Sequence, residues 1–273
     1  MLSEILVGID FSSTSERALH LAVDIANRTN ANICMVWVEV AGDSREEAIK
    51  RLEKLVETCT PLMLGKQVSY LIAEGKVATA LSNAVIKRKA NLMVIGTHGK
   101  SGFDETFAGA NAYKTIANSS VPVLTVREMF DFDKALEKII LPIDSTADTR
   151  QKVPWTIEFA KMFPNAEIYV LGLFSFKSND MKNIVKSYVN SVETLLDKNR
   201  MKFNVEYRDS ENSTITTIDY AKEIKADLIV IMKEQEKTFT NMLFLGPYAL
   251  QMINLSPFPV LVVPSKQIND AGR

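Results

Sequence analysis

The stretch Leu92-Met93-Val94-Ile95-Gly96-Thr97-His98-Gly99, followed after nine residues by Gly109-Ala110-Asn111, reads as strand, loop and helix start. Leu92 to Ile95 form an unbroken apolar run, the signature of a strand covered on both faces. Ala112-Tyr113-Lys114-Thr115-Ile116-Ala117 is amphipathic and suits the helix that follows. Glycine lets a backbone turn sharply and approach a ligand closely. A helix start offers unpaired N–H groups and the positive end of the macrodipole. The combination predicts a phosphate cradle, and phosphate points to a nucleotide.

The same alternation extends outward. Apolar runs at 4–9, 32–38, 67–72, 91–95 and 121–126 read as strands, with helical periodicity between them. Ser13 and Glu16 read as a capping box, opening a helix that reaches Arg28 with Ala18, Leu19, Ala22, Ile25 and Ala26 inward. Ser44 and Glu47 open a second, with Ala48, Leu52, Leu55, Val56 and Cys59 at core spacing. A third spans 76–89. Alternating strands and helices give an α/β fold with a parallel sheet and right-handed crossovers.

The chain then repeats itself at about 135 residues. Ile5-Leu6-Val7-Gly8-Ile9-Asp10 returns as Ile139-Ile140-Leu141-Pro142-Ile143-Asp144. Asn91-Leu92-Met93-Val94-Ile95 returns as Asp227-Leu228-Ile229-Val230-Ile231, and Val121-Pro122-Val123 as Phe258-Pro259-Val260. So long a period means duplicated domains. They are expected at 1–128 and 137–266, joined by a charged and aromatic connector.

Gly96, two residues, Gly99, nine residues, Gly109 matches the spacing of the universal stress protein family in its ATP-binding branch, and both halves of the chain resemble that family. The family pattern continues with Ser or Thr. Ala110 departs from it, keeping the backbone N–H and losing the hydroxyl, while Asn111 offers a side-chain donor. The resemblance implies two tandem doubly wound parallel five-stranded sheets, each of strand order 3-2-1-4-5, packed as a pseudo-dimer through their last strands at 121–126 and 260–263. In such sheets a ligand sits beyond the carboxyl ends of the strands, where the order reverses. Here that is the crevice between the first and fourth strands, where Asp10 and Gly96 converge.

The resemblance also implies roles. Asp10 orients the adenosine end, although it also reads as a helix-start carboxylate. Val38 contacts adenine, Ile9 and Ile95 form an apolar floor, and His98 is a donor toward phosphate. Gly96, Gly99, Gly109, Ala110 and Asn111 make the cradle. The implied ligand is ATP, alone or with Mg. In the second half both loop glycines are absent: Met232-Lys233-Glu234-Gln235-Glu236-Lys237 follows the fourth strand, and Pro247 follows Gly246. Proline removes an N–H from the cradle, and the glutamates repel phosphate. That half is expected to bind no nucleotide and to serve as the built-in partner of the first.

Gly99-Lys100-Ser101 imitates the end of a Walker A loop, but that motif needs a glycine where Val94 stands. A net charge of −1 points away from nucleic acid and membrane surfaces. No apolar run reaches the ~18–20 residues of a membrane span. Glu4 and Asp10 within the first strand-like run argue against a signal peptide. The two cysteines, Cys34 and Cys59, fall at core positions and read as reduced thiols, which suits the cytoplasm. The expected protein is a nucleotide-binding stress-response regulator with at most slow hydrolysis, since Asp10 is the only acidic candidate and no base stands beside an attacking water. Two other readings stay open. One is a ligand-free structural or dimerisation protein, pairing its own halves and whole chains as homodimers. The other is an adenylating enzyme, although its Ser-Gly-Gly loop and His-x-Gly-His signature are missing.

Overall fold

The strands of the first half are mainly apolar because helices cover both faces of the sheet, and their charged residues, Glu4, Glu39 and Glu74, stand at strand ends. The computed structural model describes residues 2–97, 110–127, 135–175, 178–233, 235–237 and 243–265. The first half runs β1 (Glu4–Ile9), α1 (Ser13–Thr29), β2 (Asn32–Glu39), α2 (Arg45–Cys59), β3 (Val68–Glu74), α3 (Val77–Arg88), β4 (Leu92–Gly96), α4 (Ala110–Asn118) and β5 (Val123–Val126). The second runs β6 (Lys138–Ile143), α5 (Val153–Ala160), β7 (Glu167–Phe174), α6 (Asn179–Lys198), β8 (Lys202–Asp209), α7 (Ser213–Ile224), β9 (Leu228–Lys233), β10 (Gln235–Lys237), β11 (Leu243–Leu245), α8 (Pro247–Leu255) and β12 (Val260–Pro264). The expected strands and helices are present. Most of the expected connector, at 128–134, lies outside the described residues.

Successive residues of a strand point to opposite faces, and the two core layers follow that alternation. Ile5, Val7 and Ile9 of β1 pack with Leu19, Ala22 and Ile25 of α1 on one face. Leu6 joins Val36, Leu81 and Ile95 on the other. Both cysteines are buried, and burial pushes both thiols above their usual pKa.

The helix starts are set locally. Ser44 caps α2, its side chain accepting from the Glu47 N–H, as its spacing predicts. The α1 cap is Ser12 rather than Ser13: Ser12 Oγ accepts from the Ser15 N–H at 3.2 Å. Four consecutive hydroxyl residues, Ser12 to Ser15, can each serve. The selection falls to Ser12 because its N–H and Oγ are already held by the Asp10 carboxylate.

The strands form one ten-stranded sheet of order β3-β2-β1-β4-β5-β12-β9-β6-β7-β8. Each half is parallel in the order 3-2-1-4-5 or its image. The seam between halves is antiparallel, pairing Val123 with Val262, Leu124 with Leu261 and Thr125 with Val260. An antiparallel seam is what a two-fold relation between the halves requires, so one chain has the architecture of a dimer. It also covers two short apolar edges that would otherwise invite association.

Two cations reach across this seam. Arg127, just past β5, donates to the carbonyls of Asn254 (2.7 Å) and Ser256 (3.1 Å) at the end of α8. Lys233, ending β9, donates to the carbonyls of Ala117 (2.9 Å) and Ser119 (2.8 Å) at the end of α4. By the sequence repeat these are corresponding carbonyls, so each half caps a helix of the other. Helix ends leave such carbonyls without intrahelical partners, and cations there also suit the dipole.

Lys233 is only 4% exposed, and burial pushes its pKa from 10.5 down to about 8. The folded chain then releases this proton near pH 8, while the unfolded chain holds it to about 10.5. Between these values the unfolded state binds more protons, so this group makes stability rise with pH. The neutral amine still donates to both carbonyls. The stability of the wild type relative to Lys233→Met is expected to increase by about 1–2 kcal/mol from pH 7.5 to 9.5. Urea unfolding of both proteins at the two pH values checks this, and a decrease would reverse the sign of the argument.

Candidate functional site

Beyond the carboxyl ends of β1, β2 and β4 lies a cavity of about 460 Å³. The order of the sheet reverses here, because β1 is flanked by β2 and β4 whose connections leave to opposite faces. Ile9, Asp10, Val38, Ile95, Gly96 and Asn111 line it, joining residues that span a hundred positions of sequence. Ala110 is the first residue of α4, whose start faces the same crevice. His98, Gly99 and Gly109, also expected at the site, lie outside the described residues.

Asp10 is held by its own loop. Its Oδ1 accepts from the Ser12 N–H at 3.0 Å and from Ser12 Oγ at 2.5 Å, while its N–H donates to Ser15 Oγ at 3.4 Å. The carboxylate therefore organises the start of α1 and stays exposed toward the cavity. Both readings of Asp10 are thus compatible: a helix-start support and an acceptor facing the crevice.

Phe11 occupies the left-handed region, with φ of 60°. For a bulky side chain that is a real outlier, with a cost on the order of 1–3 kcal/mol. Its surroundings hold it there. The Phe11 and Trp37 ring centroids are 6.3 Å apart. The Arg51 guanidinium lies 4.0 Å from the Phe11 ring centroid and donates to the Phe11 carbonyl at 3.4 Å. Phe11, Trp37 and Arg51 all line the cavity, and none was singled out from sequence for that role. Trp37 had a signal, one residue before Val38 at the end of β2. The left-handed turn that places Phe11, and the reach of Arg51 from α2, carried none.

The charges divide the cavity. Asp43, Ser44 and Glu47 bring the acidic start of α2 to one side, with Asp10 nearby. On the other side stand Gly96 and the first turns of α4, which contribute Asn111, Ala112 and Thr115. An anionic group is disfavoured beside the carboxylates and favoured at the α4 start. The apolar wall of Val38, Ile95 and Leu81 suits a flat heterocycle. Asp10 and Asp43 also supply hard oxygen donors of the kind Mg accepts.

Gly96 has a second reason to be glycine. An added Cβ would lie 2.8 Å from the Thr14 carbonyl carbon and 2.8 Å from Thr14 Oγ1. The first turn of α1 rests directly on the end of β4, so the residue that lines the crevice is also a packing requirement.

The second half repeats the acidic loop but carries larger side chains at the crevice positions. Asp144 Oδ1 accepts from the Thr146 N–H at 2.8 Å and Thr146 Oγ1 at 2.6 Å, and its N–H donates to Thr149 Oγ1 at 3.3 Å. By the repeat, Met232 stands where Gly96 does, and Tyr248 where Asn111 does. Met232 is buried, and Tyr248 Oη lies 3.3 Å from Thr217 Oγ1 of α7. Both side chains are bulkier than the residues they replace, and Tyr248 reaches α7. Part of the segment read as a loop is strand: Lys233 completes β9, and β10 pairs antiparallel with β11.

Among the described residues no cluster of three or more His, Cys, Asp or Glu side chains is placed to hold a metal ion. No helix among them is long and apolar enough to cross a membrane.

A sequence profile described as the universal stress protein family matches residues 1–127 and 135–264. A universal stress protein of Methanocaldococcus jannaschii is 26% identical over 147 residues, covering 47% of this chain and 84% of that protein. One of Thermus aquaticus is 31% identical over 137 residues, covering 46% of this chain and all of that protein. Each is therefore matched by about half of this chain. Among solved structures, a universal stress protein of Archaeoglobus fulgidus shares the fold over 97% of both chains, with a TM-score of 0.76 at 14% identity.

Proposed function

This chain belongs to the universal stress protein family, and from that premise we propose that its first half binds one adenine nucleotide, ATP, and that the protein acts as a cytoplasmic stress-response regulator rather than an enzyme. The observation that carries the proposal is the cavity of about 460 Å³ lined by Ile9, Asp10, Val38, Ile95, Gly96 and Asn111. Its size falls within the roughly 300–1,000 Å³ of small-molecule sites. Adenine is assigned to the apolar wall beside Val38, with Asp10 accepting from the adenosine end. The phosphates are assigned to the side of Gly96, Asn111 and the α4 start. Mg, where it accompanies ATP, would find its oxygen donors in the phosphates and in water.

Met232 and Tyr248 in the places of Gly96 and Asn111 support one nucleotide per chain. Calorimetric titration with ATP is expected to give a single site. Asn111→Tyr imitates the second half at an exposed position, and should weaken binding at least tenfold while leaving the melting temperature close to wild type. Two equivalent sites per chain, or equal affinity in the folded variant, would count against this assignment. Absence of any binding by the wild type would favour the ligand-free reading, in which the cross-seam caps of Lys233 and Arg127 make pairing of the halves the main business of the fold.

A further inference from the structure

Helix α4 has two sets of partners. Its first turns, with Asn111, Ala112 and Thr115, line the cavity of the first half. The rest of it is gripped by the second half. Tyr113 Oη accepts from the Leu245 N–H of β11 at 3.2 Å. The Ala117 and Ser119 carbonyls accept from the buried Lys233 amine at 2.9 and 2.8 Å. The helix has nine residues and is therefore only about 13 Å long at 1.5 Å per residue. So short a helix moves as a rod, and whatever fixes its end and side fixes its start.

The two cross-seam caps come from different places in the repeat, Arg127 after β5 and Lys233 at the end of β9. In the first half, the residue after β4 is Thr97, whose N–H and hydroxyl donate to the Val126 carbonyl. Its counterpart, the last residue of β9, is Lys233, which crosses the seam. The hairpin of β10 and β11, in the place of a glycine loop, delivers the Leu245 N–H to Tyr113. The second half has thus turned the region that would hold its own ligand toward the helix that serves the other cavity. An anion at the start of α4 and the Lys233 cation at its end are also both favourable to the same helix dipole.

We propose that Lys233 and the β11 backbone are positioning elements for the nucleotide cavity of the first half, holding the ligand-facing turn of α4 in place from the second half. This rests on the assignment of a nucleotide to that cavity. It makes the second half a control element for the site, and by reciprocity the bound nucleotide tightens the contact between α4 and β11.

The test uses the full chain. ATP affinity is measured by calorimetry for wild type, Lys233→Met, Tyr113→Phe and Arg127→Met, and amide exchange at Leu245 is followed with and without saturating ATP. Lys233→Met keeps the apolar stem and removes the donor. Arg127→Met makes the corresponding change at α8, in the half where Tyr248 stands in the place of Asn111. Lys233→Met and Tyr113→Phe are expected to bind ATP at least fivefold more weakly, and Arg127→Met within twofold of wild type. ATP should slow exchange of the Leu245 amide. A merely structural seam would weaken binding equally in Lys233→Met and Arg127→Met, and that result overturns the proposal. Unchanged affinity in folded Tyr113→Phe with ATP-insensitive exchange at Leu245 also overturns it, whether or not Lys233→Met folds. Failure of the wild type to bind ATP removes the nucleotide assignment itself, and this inference with it.

Discussion

Leu261→Asp is expected to remove most or all of the stability of the native chain. Leu261 faces Leu124 directly across the antiparallel seam, and both are 0% exposed. Truncating a buried leucine costs about 2–5 kcal/mol, and burying an unpaired carboxylate adds several more or forces its protonation. Typical stabilities are only about 5–15 kcal/mol. Urea denaturation at neutral pH measures the loss, and the variant should regain some stability as the pH falls and the carboxyl neutralises. If the variant unfolds within about 1 kcal/mol of wild type, the halves are not joined through β5 and β12, and the ten-stranded sheet is wrong at its centre. Such a seam also explains why the halves need no ligand to stay paired. The core layers run through it without a break, from Val94 and Leu124 to Leu261 and Val230 on one face.

Gly96→Ala is expected to destabilise the ligand-free protein by about 1–3 kcal/mol. The argument concerns close approach and not backbone freedom. The added methyl would lie 2.8 Å from the Thr14 carbonyl carbon and 2.9 Å from Thr14 Cβ, nearer than carbon atoms pack. The backbone atom cannot rotate away, so α1 or β4 must shift. A change of that size should lower the melting temperature by roughly 2–10 °C for a chain of this length. Scanning calorimetry without nucleotide checks it. An unchanged melting temperature would mean that α1 yields at no cost and that glycine is required there only by a ligand.

The same glycine shows how far the sequence can be read. The spacing of Gly96 from its neighbours in the motif identified it, and the cavity includes it. Nothing local revealed that Thr14 presses against it from a helix 80 residues earlier. Asp10 is similar. Its position after β1 was legible, and so was its nearness to Gly96, because the order of a doubly wound sheet brings the ends of its first and fourth strands together. Its bond to Ser12, and the consequent choice of Ser12 over Ser13 as the cap, depended on the path the chain takes out of β1. Phe11 and Arg51 depended on it further, since a left-handed turn at Phe11 sets its ring against a guanidinium from another helix.

The second half marks the limit more sharply. Loss of the loop glycines was plain, and so was the expectation of no ligand. Lys233 read only as one residue of a loop whose glutamates repel phosphate. In the fold it ends a buried strand and caps a helix whose carbonyls lie 114 and 116 residues away. The sequence alone therefore determined what local repetition and apolar periodicity can encode, the alternating α/β elements and the duplication, while the strand order and the crevice where it reverses came from the resemblance carried by the glycine spacing. Tertiary structure alone decided which polar groups meet across that frame. Periodicity records which face of an element is buried, whereas the partner of a buried charge is chosen by distance in space, and the seam brings it from the other half of the chain.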